Sequence, residues 1–193
     1  MHNIIEQFMR YFMPNISDES IEQFNEIVSL KSFAKGKVVL KQGQKPQNFY
    51  ILKSGVARSF IKNNEEKEHI RTLYTTLSTF GSLSALIQKN DSNATYDCLT
   101  PCEFFVGNFQ AFIELTKTNH ELALFYNRVL ESLFIRTEKR VDELALLSAT
   151  ERYLKLKTEI PEINNLIPQY HIASFLNITP VQLSRIRKKL YST

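Results

Sequence analysis

Residues 169 to 193 leave the chain few choices of local fold, because one turn residue and one helix cap fall close together. Asn177 interrupts an apolar-periodic run and, like Gly, tolerates the left-handed backbone of a tight helix exit. A first helix is expected to end there. Thr179 then offers an N-cap hydroxyl, Pro180 suits a first helical position whose N–H has no partner anyway, and Gln182 completes a T-x-x-Q capping box. A second helix is expected to begin at Pro180. Ile172, Ala173 and Leu176 form the inner face of the first helix, and Ala173 is small enough to let the two helices cross closely. Ile178, Leu183, Ile186 and Leu190 answer from the turn and the second helix.

The i, i+3, i+7 spacing puts Leu183, Ile186 and Leu190 on one stripe and leaves Val181, Ser184, Arg185 and Lys188 on the opposite one. That exposed stripe is short, polar and basic. Such a helix suits a DNA major groove, where Arg reads guanine bidentately and Gln reads adenine. The expected partner is double-stranded DNA, with Thr179, Val181, Gln182, Ser184, Arg185, Arg187, Lys188 and Lys189 as candidate contacts. An ordinary helical hairpin with a solvated basic face is the alternative.

Charge favours the first reading. Residues 151 to 193 hold seven Lys and Arg against three acidic residues, which accounts for the whole net charge of +4, while the first 150 residues balance at 17 against 17. DNA affinity is largely phosphate neutralisation, so a positive charge confined to this segment marks where an anionic polymer would lie. At 193 residues and 43% hydrophobic, the chain can bury one good core and a small second one.

No apolar run approaches a membrane span, no signal peptide is read, and the N-terminal Ile4, Ile5, Phe8, Met9 and Phe12 are spaced as a helix face. No membrane contact is expected. Only Cys98 and Cys102 are present, too few for a four-cysteine metal site, and a reducing cytoplasm is the expected location. They are read as two free thiols in or beside strands, a redox pair being the alternative. His2, His69, His120 and His171 are scattered with no H-x-H pair, so a metal site of the cupin type is not expected. No metal, cofactor or catalytic constellation emerges.

Ser17-Asp18 opens an early helix read through Val28. Six strands follow, at Lys37 to Gln42, Asn48 to Lys53, Val56 to Lys62, Lys67 to Tyr74, Thr95 to Leu99 and Cys102 to Val106, separated by Gly, Pro and Asn turns. Many short strands with regular turns indicate an antiparallel barrel or jelly roll. From Asn119 to Leu147 the pattern is helical, about 40 Å long. Leu122, Phe125, Val129, Leu133, Arg136, Arg140, Leu144 and Leu147 make one stripe along it, expected to form a homodimer seam, with packing across its own domain as the alternative. Ser148 and Glu151 form an S-x-x-E capping box that marks a new helix and a domain boundary. The expected fold is α+β: a jelly roll over 1–118, a dimerisation helix over 119–147 and an all-α helix-turn-helix domain over 148–193.

Barrel, long helix and terminal helix-turn-helix in this order resemble the Crp/Fnr superfamily. The carriers are Val39-Leu40-Lys41-Gln42-Gly43, Phe49 to Arg58, and Ile172-Ala173-Ser174-Phe175-Leu176-Asn177-Ile178-Thr179-Pro180. The resemblance implies a dimeric activator or repressor that recruits or blocks RNA polymerase. In the family's cyclic-nucleotide binders, a G-E-L turn supplies Glu to the ribose and an R-S/T-A triplet supplies Arg to the cyclic phosphate. Here the segments read Gly81-Ser82-Leu83 and Ser92-Asn93-Ala94, so both charged contacts are gone and cyclic AMP binding in the usual way is not expected. The pocket is left empty, filled by side chains, or given to another ligand. Thr137 falls where relatives place a hydroxyl near the ligand base, and Glu138 follows it. The sequence runs only three residues past Leu190, without the wing hairpin of many relatives.

Overall fold

The computed structural model describes residues 2–63 and 66–191. Helices α1 (His2–Phe12) and α2 (Asp18–Glu26) lead into strands β1 (Val28–Phe33), β2 (Val38–Leu40), β3 (Asn48–Ser54), β4 (Ala57–Lys62), β5 (Glu68–Tyr74) and β6 (Thr79–Phe80). Helix α3 (Leu83–Gln88) and strands β7 (Thr95–Cys98) and β8 (Cys102–Asn108) complete the barrel. Helices α4 (Phe109–Thr118), α5 (His120–Leu146), α6 (Ala149–Glu159), α7 (Ile163–Leu166), α8 (Gln169–Phe175) and α9 (Pro180–Tyr191) follow.

The strands pair antiparallel in two four-stranded sheets, in the orders β1-β8-β3-β6 and β2-β7-β4-β5. Period-two alternation lets the middle strands of the first sheet serve two cores. Leu52, Cys102, Phe104 and Val106 join Leu40, Ala57, Tyr96 and Cys98 between the sheets. Ile51 and Phe105 face the other way, into a second core with Ile5, Phe8, Met9, Phe24, Phe112 and Phe125 of the surrounding helices. Gly107 makes this possible, since a Cβ there would lie 2.3 Å from the Phe49 ring.

All six strands expected from the sequence are present, with ends shifted by at most two residues. Two were not read. The early helix stops at Glu26 and not at Val28, because Val28–Phe33 leaves to pair in register with Cys102–Gly107. Its burial pattern alternates weakly, so a partner, not periodicity, makes it a strand. Strand β6 is two residues long and rests on its pairing with Tyr50 and Ile51.

The long helix α5 begins at His120, capped by the Asn119 side chain, and ends at Leu146. The stripe along it corrects the sequence reading. Leu122, Phe125 and Val129 are buried in the core with α1 and α2, and Leu133 packs against it. Farther along, Arg136 lies over the Tyr74 ring and Arg140 over Phe175. The stripe from Leu122 to Arg140 therefore packs on its own chain, while Leu144 is 42% exposed. At 3.6 residues per turn, Phe134, Glu138, Val141 and Ala145 lie on roughly the opposite face, where Phe134 is 63% and Val141 61% exposed.

Candidate nucleic-acid interface and effector site

The helix-turn-helix forms as the side-chain rules require. Asn177 sits at φ 55°, Thr179 Oγ1 accepts from Gln182 N–H at 3.2 Å, and Gln182 Oε1 accepts from Thr179 N–H at 2.9 Å. Ile172, Ala173, Leu176 and Leu183 are fully buried together with Tyr153, Leu156 and Ile163, and Ile178, Ile186 and Leu190 pack against them. Val181, Gln182, Ser184, Arg185, Lys188 and Lys189 are exposed along α9, Arg187 is half-buried, and Thr179 is exposed at the cap. Among the described residues none of the four α9 cations forms an ion pair within the chain, so their charge is directed outward. Thr179 Oγ1 and Gln182 Oε1 are engaged in the cap itself. The Ser148–Glu151 capping box also forms, opening α6.

The helix-turn-helix is not a free appendage, and this contact was missed from sequence. Val56 and Leu99 of the barrel belong to its core. Helix α8 lies along β5, the edge strand of its sheet, where Ser174 Oγ accepts from Ile70 N–H at 3.0 Å and donates to the Glu68 carbonyl at 2.9 Å. A hydroxyl thus satisfies part of an open sheet edge. At its end, Arg152 donates to the Leu176 carbonyl and Arg140 to that of Phe175, which occupies carbonyls that a helix C-terminus leaves unpaired.

Beside this seam lies a buried polar cluster. Arg58 on β4 is 6% exposed. Its guanidinium makes a two-pronged contact with Asp97, at 2.8 and 2.9 Å, and reaches Glu68 at 2.6 Å. The same guanidinium donates to His171 Nδ1 on α8 at 3.1 Å. Arginine has no acceptor, so Nδ1 is the unprotonated nitrogen and the imidazole is neutral. His171 is buried as well as hydrogen-bonded. An arginine inside the Ala57–Phe60 run of buried residues was the available signal.

Several of the expected effector residues are engaged within the chain. Gly81, at φ 126°, turns the chain into α3. Ser82 is buried, and its Oγ lies against the Tyr96 phenol without a hydrogen bond of good geometry. Ser92 Oγ donates to the Ala94 carbonyl at 2.7 Å, and the Asn93 side chain accepts from Arg71 at 3.2 Å. Thr137 Oγ1 donates to the Leu133 carbonyl of its own helix, and Glu138 is exposed on the far face of α5. The space between the sheets is occupied by Phe104, Phe80, Tyr50, Tyr74 and Tyr96, stacked edge to face or tilted at 4.9–6.4 Å. Gly81 and Leu83 instead line an apolar cavity of about 120 Å³ between this sheet and α5.

Cys98 and Cys102 are free and buried. The contact with Cys102 and burial push the Cys98 thiol well above its usual range. Among the described residues, no three His, Cys, Asp or Glu side chains converge to hold a metal ion, and no helix is long and apolar enough to cross a membrane.

Residues 30–119 match the cyclic nucleotide-binding domain family. Among solved structures, FixK2 from Bradyrhizobium japonicum superposes with a TM-score of 0.74 at 14% identity, covering 86% of this chain and 85% of that one. The regulator CLP of Xanthomonas campestris, described as responsive to c-di-GMP, gives 0.71 at 15% identity, covering 91% and 92%. The chain has the fold of these two proteins. Among curated proteins, the cAMP-activated global transcriptional regulator CRP of Pasteurella multocida is 22% identical over 135 residues, which cover 70% of this chain. That match spans 65% of the relative's own length. The shared architecture joins a barrel to a helix-turn-helix.

The His171 contact carries a pH dependence. Burial first, then the Arg58 guanidinium, lowers its pKa from 6.5 to about 4, with Asp97 and Glu68 opposing and Lys35 adding slightly. Between these values the unfolded chain holds a proton that the folded chain does not, so stability rises with pH through that window. The contribution is complete above about pH 6.5 and is lost as pH falls toward 4. Urea unfolding at pH 4.5 and pH 7 is expected to show a loss on the order of 2–3 kcal/mol from this group. His171→Gln, which keeps an acceptor for Arg58 and cannot titrate, should remove that part of the slope; an unchanged slope would refute the assignment.

Proposed function

We propose that this chain is a DNA-binding transcription regulator of the Crp/Fnr type, acting as a cytoplasmic homodimer on a pseudo-palindromic operator and having no enzymatic activity of its own. The observation that carries the proposal is α9, a capped helix whose apolar stripe is sealed in its domain while Val181, Ser184, Arg185, Lys188 and Lys189 face solvent. A groove-reading helix needs this division. Val181 suits the thymine methyl and Arg185 the guanine edge, while Lys188 and Lys189 suit phosphates. Thr179 and Gln182 fix the angle of the helix through the cap. RNA polymerase is the expected protein partner, recruited or obstructed from the operator.

The dimer seam follows from α5. Leu124, Phe134, Ile135 and Val141 are exposed on one side of a 27-residue helix, and a second copy of the same face is the simplest cover, since two-fold pairing is self-complementary. Such a dimer sets two recognition helices about 34 Å apart. The effector reading is negative for cyclic AMP: the Ser82 and Ser92 hydroxyls supply neither a carboxylate to a ribose nor a guanidinium to a phosphate.

Three measurements test these statements. Arg185→Ala is expected to cost about 1–3 kcal/mol on the cognate duplex and to relax preference at one base pair, while Lys189→Ala weakens all duplexes alike and reduces the salt slope by roughly one. Wild-type discrimination by Arg185→Ala in fluorescence anisotropy refutes the reader assignment, and salt-insensitive capture of protein in place of DNA favours a protein-binding tail. Light scattering at tens of micromolar should give a dimer for the native chain and a monomer for Val141→Glu, with the fold retained by circular dichroism; a native monomer sinks the seam. Calorimetric titration with millimolar cyclic AMP should give no saturable heat and no rise in melting temperature, and micromolar binding reverses the effector reading.

A further inference from the structure

We propose that the cavity between the barrel and α5 binds an amphipathic carboxylate, a small molecule with one anionic head and an apolar tail of about six carbons. The chamber holds about 120 Å³, comparable with the roughly 150 Å³ apolar cavity that takes up benzene. Its walls are rings and branched chains, among them Phe80, Leu86, Phe112, Phe125 and Tyr126. A second space of about 250 Å³ adjoins it, lined by the hydroxyl-bearing Thr76, Ser78 and Ser132. The two share Thr79, Val129, Leu133 and Arg136. An apolar chamber therefore adjoins a space with hydroxyls in its wall, and the one charged side chain lining both is an arginine.

Arg136 has no carboxylate of its own. Among the described residues it forms no ion pair, and its recorded contact is with the Tyr74 ring, 5.9 Å from the centroid. Four other arginines of the chain, Arg10, Arg58, Arg128 and Arg140, each hold a Glu or Asp. A guanidinium fork at the edge of a dry chamber selects a planar anion whose remainder is apolar. Arg136 is the one charged side chain among the residues lining the chamber, which is too small for a nucleotide. Of the effector residues expected from sequence, only Gly81 and Leu83 line it, so this is a different use of the sensor domain.

The regulatory meaning of the site rests on the proposed function, because α5 forms one wall and carries the exposed Phe134 and Val141 on its other face. Binding itself does not rest on it. The full chain is titrated calorimetrically with sodium n-alkanoates from butanoate to decanoate and with the matching n-alkanols. Alkanoate affinity is expected to rise about fourfold per methylene and to level off near heptanoate. Arg136→Gln should weaken heptanoate at least tenfold and leave 1-heptanol within twofold. Leu83→Trp, which fills the chamber from its edge, should abolish both; if it fails to fold by circular dichroism, the length series and Arg136→Gln decide alone. Absence of saturable alkanoate binding below about 10 mM, equal affinity for acid and alcohol, or an unaffected Arg136→Gln each overturns the proposal. Anisotropy on operator DNA separates the two readings: heptanoate binding with no DNA affinity in any condition defeats the regulator and leaves the site standing.

Discussion

Strands β3 and β8 must bury side chains on both faces, and the rest of the molecule is arranged to meet that demand. Phe104 and Leu52 need a second sheet, while Phe105 and Ile51 need helices. One sheet alone would leave a row of large apolar groups in water, so the first sheet lies between the second sheet and a layer made of α1, α2, α4 and the start of α5. This constraint also consumes the stripe of α5. Leu122, Phe125 and Val129 go to that layer, and only the other face of the helix is left for a partner.

The same packing alters what the barrel can hold. In a nucleotide-binding version of this fold, charged groups line the space beneath the barrel. Here Phe80, Phe104, Tyr74 and Tyr96 fill the interval between the sheets, and burial pushes the Tyr96 phenol above its ordinary range. A ring cluster of this kind tolerates neither a ribose carboxylate nor a phosphate-binding arginine nearby, since each would be desolvated without a partner. Open space survives only farther out, where α5 bridges the sheet edge and Arg136 stands at the rim.

Arg58 does for the domain boundary what the aromatic cluster does for the barrel. A buried guanidinium needs several acceptors, and Asp97, Glu68 and His171 supply them from two strands and one helix of the other domain. Removing Asp97 would leave the guanidinium without its two-pronged partner, and the His171 contact ties the position of α8 to the same sheet. The angle at which the basic face of α9 is presented therefore depends on residues far from it in the chain.

The sequence by itself determined what depends on neighbours within a few positions. The Asn177 turn, the Thr179–Gln182 and Ser148–Glu151 caps, six of the eight strands and the polar face of α9 are local events, set by backbone freedom, hydroxyl reach and side-chain period. The outward direction of Arg185 and Lys188 was legible for the same reason. Only the tertiary structure decided which stripe of α5 is spent inside the chain, that Val28–Phe33 is a strand, that Arg58 and His171 meet across the domain boundary, and that Arg136 stands beside a cavity. Each of these depends on a partner more than sixty residues away or on the space left between elements, and no periodicity along the chain encodes where that partner will be.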